Sequence, residues 1–218
     1  MDLVDKITGV LTNPKSTMKE VAERPMIEEG LLIVGLNAAI AALSAYITFT
    51  KVIYKFPDVP GSSQDIQTIA ILAGIVGSLI GVFIMWVVFA GILHIISLAI
   101  GGEGRFYPGM LVIYAYSMLP MPIGGIIEAI LLYLTPVVVT IDMSGAGTGT
   151  GNPMAGLIDH PYYQAATAIG LIASVLSLFL MFHGVQSVQK LSAKRAVIPV
   201  GILAVITIVP SVIGWFMF

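Results

Sequence analysis

Five polar or titratable side chains interrupt stretches that are otherwise almost wholly apolar. They are Asn37 in VGLNAAI, His94 in FAGILHIISL, Tyr114 in LVIYAYS, Glu128 in GGIIEAIL and His183 in FLMFHGV. An imidazole in such a run can hydrogen-bond, bind a metal or sense protons. A carboxylate there is costly and must be paired, neutral or turned toward water. The two histidines share no helical pair spacing and have no fixed carboxylate partner, so they do not compose a metal site. With no cysteine in the chain, thiol chemistry and Cys-based metal binding are excluded. No His-Glu-x-x-His or Gly-x-Ser-x-Gly motif is present, and no enzymatic activity and no cofactor are expected.

The elements that carry these residues follow from composition. The chain has 218 residues, 57% hydrophobic and 10% charged. A soluble domain carries roughly 25% charged residues, so this one cannot coat a water-facing surface. A net charge of −2 argues against a nucleic-acid partner. The expected fold is all-α: an integral membrane bundle of five transmembrane helices. A spanning helix needs about 20 apolar residues. Runs of that kind cover 30–50, 66–100, 108–140, 162–188 and 196–218. The second, at 1.5 Å per residue, would reach roughly 52 Å and must tilt, bend or protrude. The third is broken by Pro120 and Pro122. Splitting the second and third runs at their Gly and Pro clusters would give six or seven pieces, mostly too short to cross.

Residues 1–29 form a separate amphipathic segment. Leu3, Ile7, Val10 and Leu11 share one helical face, and Asn13-Pro14 is expected to cap and start a second helix closed by Pro25. Such helices commonly lie in the membrane interface. The start of the chain lacks the long apolar core of a cleavable signal peptide.

With five spans, Lys6, Lys15, Lys19, Arg24, Arg105, Lys190, Lys194 and Arg195 fall on one side, and Lys51 and Lys55 on the other. The positive-inside rule then puts the N-terminus in the cytoplasm and the C-terminus outside. Tyr46, Tyr54, Tyr107, Tyr162, Tyr163 and Trp215 fall near span ends, like an interfacial belt; Trp86 lies mid-span with no evident reason. Counting inward from the basic end, Asn37, His94, Tyr114 and His183 each lie roughly 8–10 Å deep, on four different helices. They compose an expected polar layer, either joining helices or lining a lipid-headgroup or ligand pocket. Glu128 lies beyond the proline break, nearer the bilayer middle. A broken helix followed by an acid is also a feature of transporter sites, although no inverted repeat is visible.

Two stripes of small residues, Ala73, Gly77, Gly81 and Ala166, Gly170, Ser174, suit close helix packing within the bundle or between two copies in a homo-dimer. The SGAGTGTGN segment, Ser144–Asn152, lacks the Lys-Ser/Thr of a phosphate loop and reads as a flexible linker, flanked by Asp142, Asp159 and His160.

The stretch HIISLAIGGEGRF, followed by LVIYAYSMLP, resembles the His…Gly-Gly…Tyr-Ala…Pro pattern of the YIP family, polytopic membrane proteins first known as partners of Ypt/Rab GTPases. The matching positions are His94, Gly101, Gly102, Tyr114, Ala115 and Pro120. Asn13-Pro14 before an amphipathic helix is similar to the start of the shorter, prokaryote-type members. The resemblance implies five helices, a cytosolic N-terminus and non-enzymatic work in membrane organisation or trafficking, with lipids and a cytoplasmic protein as partners. Eukaryotic relatives place GTPase contacts in a longer N-terminal region, whereas about 29 residues precede the first span here. GTPase binding is accordingly a weak expectation.

Overall fold

The computed structural model describes residues 2–55, 62–136, 138–142 and 155–217. The chain opens with α1 (Leu3–Thr12) and α2 (Pro14–Glu23). Asp2 caps α1 by accepting the Asp5 N–H at 2.8 Å, and the Asp5 carboxylate accepts the Asp2 N–H at 3.4 Å. These reciprocal bonds satisfy two N-terminal donors. Pro14 takes the first position of α2, but Asn13 makes no side-chain cap, contrary to expectation. Its carbonyl instead accepts the hydroxyl of Thr17 at 3.0 Å.

The apolar faces of these two helices are covered by protein only in part, and Leu11 stays more than half exposed. Val10, Met18 and Val21 are buried in the same core as the long helices, and α2 packs on α8 and α5. Gly184 makes this approach feasible, because any Cβ there would run into Ile113 and Met18.

The long elements are α3 (Ile27–Thr50), α4 (Ser62–Ala99), α5 (Leu111–Ser117), α6 (Pro120–Leu134), α8 (Pro161–Val188) and α9 (Ala193–Met217), with a short α7 (Ala155–Ile158) before α8. A π-helical turn, Phe106–Met110, leads into α5. Among the described residues four segments are long and apolar enough to cross a membrane: Ile27–Thr50, Asp65–Ala99, Phe106–Leu134 and Pro161–Val188. The first and second runs extend a few residues N-terminal to their expected starts, and α4 is continuous through its glycines.

Two corrections concern the third run. It ends as helix at Leu134, not near residue 140. Pro136 explains this, since a proline disfavours the α region for the residue before it, and Thr135 is extended (φ −67, ψ 117). Val139–Asp142 then forms a strand, β2, paired in parallel with β1 (Val52–Lys55), with Val52 opposite Val139. Consecutive β-branched residues favour that conformation. Among the described residues the fold is therefore helical with one two-stranded exception.

The Pro120/Pro122 break is a local turn at Met118-Leu119 rather than a wide gap. The Met121 N–H turns back to the Met118 carbonyl at 2.9 Å. That leaves the Ser117 carbonyl free to accept the Ser177 hydroxyl of α8 at 2.6 Å. A backbone group released by proline is thus re-satisfied by a neighbouring helix, as lipid surroundings require.

α3 and α6 end side by side, where Lys51 Nζ donates to the Tyr133 carbonyl at 3.2 Å and also to that of Thr135. α4 and α8 end together at the opposite pole, beside α1 and α2. The second small-residue stripe packs inside the bundle: α6 lies on α8, with Gly124 facing Ala173 and Gly170 beneath Glu128. The first does not, because a Cβ at Gly77 or Gly81 would meet open space. The outward face of α4 presents Ile69, Leu72, Val76, Ile80 and Ile84, each more than half exposed. Tyr46, Tyr107 and Tyr162 are also exposed. The Ser144–Asn152 linker and the side chains of Tyr54, Asp142 and Trp215 lie outside the described set.

Candidate functional site: the clamped turn at the basic end

α4 ends in a Schellman motif. The Gly102 N–H bonds to the Ser97 carbonyl at 2.8 Å and the Gly101 N–H to that of Leu98 at 3.0 Å. Gly101 has φ +92, a left-handed conformation that side chains rarely adopt. α8 ends the same way: Leu191 N–H reaches Gln186 at 3.1 Å and Lys190 N–H reaches Ser187 at 3.4 Å. Here the left-handed position is held by Lys190, at φ 53, without glycine's freedom.

Gln189, fully buried, joins the two ends. Its backbone carbonyl accepts the Glu103 N–H at 3.1 Å. Its side-chain Oε1 accepts the Gly104 N–H at 3.1 Å. Its Nε2 lies 2.9 Å from His94 Nδ1. Because Oε1 is committed to Gly104, Nε2 must donate, so His94 Nδ1 carries the lone pair and the ring proton sits on Nε2. A second proton at Nδ1 would set donor against donor. Phe106 packs against the imidazole with ring centroids 5.6 Å apart. A Cβ on Gly102 would approach Gln189 Oε1 and the Ser97 carbonyl to 2.8 Å, and one on Gly104 would collide with the Val188 carbonyl. These glycines are therefore required by close backbone approach. Glu103 and Arg105 remain exposed on the outside of the turn, with Glu103 3.6 Å from Lys190.

A second polar cluster fastens the N-terminal helices at the same pole. Lys6 Nζ donates to both oxygens of Glu29, at 2.9 and 2.7 Å, and Tyr116 donates to Glu29 Oε2 at 2.5 Å. Lys6, Glu29 and Tyr116 are all buried. Glu29 also sits in the first turn of α3, where the helix dipole favours an anion. α1, α3 and α5 are thereby locked through one carboxylate.

The four expected layer residues are placed as follows. Asn37 Nδ2 folds back on its own helix, donating to the Ile33 carbonyl at 2.9 Å. His94 belongs to the clamp. Tyr114 packs against Phe89, with centroids 6.3 Å apart, and lines a cleft of about 380 Å³ shared with Trp86 and Met118. His183 lies between Phe179 and Phe182, and its buried Nδ1 has no partner among the described residues. No hydrogen bond links any two of the four among the described residues. Glu128 lies over Gly170 of α8 and makes no hydrogen bond or ion pair among the described residues. Trp86, unexplained in the sequence, ties α4 to α5 through an Nε1–H bond to the Leu111 carbonyl at 2.8 Å. Among the described residues no cluster of His, Asp and Glu could hold a metal ion.

Long apolar helices, three of the four largely bare of cover by protein and Phe106–Leu134 mostly buried among them, joined at polar caps at their ends, define a multi-pass α-helical integral membrane protein. The chain matches the Yip1 domain over residues 8–214 and belongs to that family. An uncharacterized protein of Methanocaldococcus jannaschii is 32% identical over 124 residues, 56% of this chain and 85% of the relative. No solved structure matches it significantly.

Several residues of the His…Gly-Gly…Tyr-Ala…Pro pattern set shape. His94, Gly101 and Gly102 build the clamped turn. Ala115 lies where the α3 backbone at Gly30 comes close, 3.5 Å from a Cβ position. Four contributors escaped the sequence reading: Gln189, Lys6, Glu29 and Tyr116. Gln189 falls just past the last apolar residue of its run, and only its partner 95 positions away gives it meaning.

Proposed function

We propose that this chain is a non-enzymatic Yip-type membrane scaffold that presents a rigid turn, Gly101–Arg105, to a cytoplasmic partner. The observation that carries the reading is the use of His94 and Gln189. His94 Nδ1 and the Gln189 amide are both committed to holding the turn. Exposed Glu103 and Arg105 on a backbone pinned from behind make a recognition surface of low conformational entropy. Asn37, Tyr114 and His183 support the same end of the bundle as packing residues rather than as a bonded layer.

In this proposal α9 is the fifth span, since 25 helical residues give about 37 Å at 1.5 Å each. Five crossings place Lys6, Lys15, Lys19, Lys190 and Arg195 in the cytoplasm with the N-terminus, and the C-terminus outside. Single cysteines at Ser16 and Ser192 should label from the cytoplasm, and one at Ser144 from outside. Labelling of all three from one face sinks the five-span topology.

Function is tested by flux. Purified protein in proteoliposomes should pass no protons or small solutes above the protein-free background. A flux that disappears in Glu128→Gln would replace the scaffold with a transporter built on Glu128 and the Pro120/Pro122 turn. Pull-down with the full chain should lose its partners in Glu103→Lys/Arg105→Glu while the protein stays folded.

A further inference from the structure

A groove of about 590 Å³ runs between α2 and the last turn of α8. Lys15, Lys19 and Lys190 line it, with Gln186 and Ser187 on its α8 wall and Glu23 as its acid. Lys19 lies 3.9 Å from Glu23, and Lys190 lies 3.6 Å from Glu103. Both are exposed ion pairs, which hold a lysine only weakly. Three cations against one lining carboxylate leave the groove positive. Its position matters as much as its charge. α8 is a membrane-length helix whose last residue is Val188, so the groove sits where the apolar span gives way to the headgroup region. Three and four residues before Gln186 and Ser187, hence on the same helical face one turn deeper, is His183, whose buried Nδ1 has no partner among the described residues.

We propose that this groove binds the phosphate headgroup of an anionic phospholipid, held by Lys15, Lys19 and Lys190. The chemistry recognised is a phosphate monoanion or diester at the lipid boundary. Lysines on an amphipathic helix beside a span end are suited to it: their stems lie along apolar surface while the ammonium groups reach the headgroups. Ser187 and Gln186 add neutral hydrogen-bonding groups on the α8 wall. The bound lipid would brace α2 against α8, the packing on which the N-terminal helices depend. This inference rests on the membrane assignment and not on the scaffold reading, so a flux or pull-down failure leaves it standing.

The test uses the full chain in detergent, with native mass spectrometry and titration of phosphatidylglycerol, phosphatidylcholine or inorganic phosphate. Phosphatidylglycerol should bind saturably, and at least about tenfold more tightly than phosphatidylcholine. The Lys15→Gln/Lys19→Gln/Lys190→Gln variant should lose about tenfold or more of that affinity. A control variant of equal charge change, Arg24→Gln/Lys194→Gln/Arg195→Gln, alters no residue lining this groove and should retain it. Far-ultraviolet circular dichroism checks that both variants fold. Equal losses in the two variants would overturn the proposal, leaving only diffuse attraction to the basic pole. Inorganic phosphate competing at a comparable concentration would overturn the lipid assignment in favour of a free anion. Absence of selectivity between the two lipids would overturn the site outright. If the triple variant does not fold, Lys19→Glu, at a largely exposed side chain, must weaken phosphatidylglycerol binding on its own, and failure to do so overturns the proposal.

Discussion

The two poles of the bundle are built differently. At the basic pole, turns are pinned by buried polar groups: Gln189 against His94 and Gly104, and Glu29 against Lys6 and Tyr116. At the other pole α3 and α6 are joined by a short parallel strand pair and by Lys51 bonding to the carbonyls that end α6. In between, α4 leaves most of its surface to the surrounding medium. The difference shows how a membrane bundle divides its work. Apolar burial does not drive helices together when lipid is the alternative solvent. Specific position then comes from hydrogen bonds and close backbone approach, as at the basic pole.

Four changes would break or sharpen that contrast. The largest effect is expected from Lys6→Ala, which strands the Glu29 carboxylate in a buried site. Removing one partner of such a pair costs about 3–5 kcal/mol. Thermal unfolding in detergent should fall accordingly, and limited proteolysis should release α1. A Lys6→Met/Glu29→Leu/Tyr116→Phe triple variant, which leaves no member of the cluster unpaired, should recover most of the loss. If it does not, the carboxylate does more than fasten helices.

Next comes Gly104→Ala, whose methyl group would strike the Val188 carbonyl. Overpacking of this kind costs about 1–3 kcal/mol, again read by thermal unfolding. A neutral result would show that the α4 and α8 ends are not held as close as described.

Lys190→Gly should stabilise by about 0.5–1 kcal/mol, because glycine adopts the left-handed position without steric penalty. Destabilisation would point to Lys190 as a ligand of the clamp itself.

The smallest effect should come from Gly77→Ala and Gly81→Ala. Their Cβ atoms enter open space, and alanine favours helix by about 1 kcal/mol or less. A loss as large as that of Gly104→Ala would mean that a second copy covers this face, and light scattering of the variant should then report dissociation.

Much of this plan is written in local chemistry. Runs of apolar residues announce α3, α4 and α8, and Gly101-Gly102 announces the end of α4. Pro120 announces the kink within the third run. Pro136 and the valines after it carried the strand signal too, but an unbroken hydropathy run concealed it. The N-terminal amphipathic faces were evident, whereas the packing of α2 on α8 and α5 was not: an apolar stripe looks the same facing lipid or protein.

The polar groups separate the two kinds of knowledge. The placement of His94, Asn37, Tyr114, His183 and Glu128 in oily runs follows from composition alone, as does their need for partners or water. Who satisfies whom does not. His94 finds Gln189 across 95 residues, Lys6 finds Glu29 across 23, and Tyr116 reaches the same carboxylate across 87. Such pairings depend on which helices are neighbours and on where each one stops. Hydropathy carries no information about either, because lipid accepts any face of an apolar helix equally.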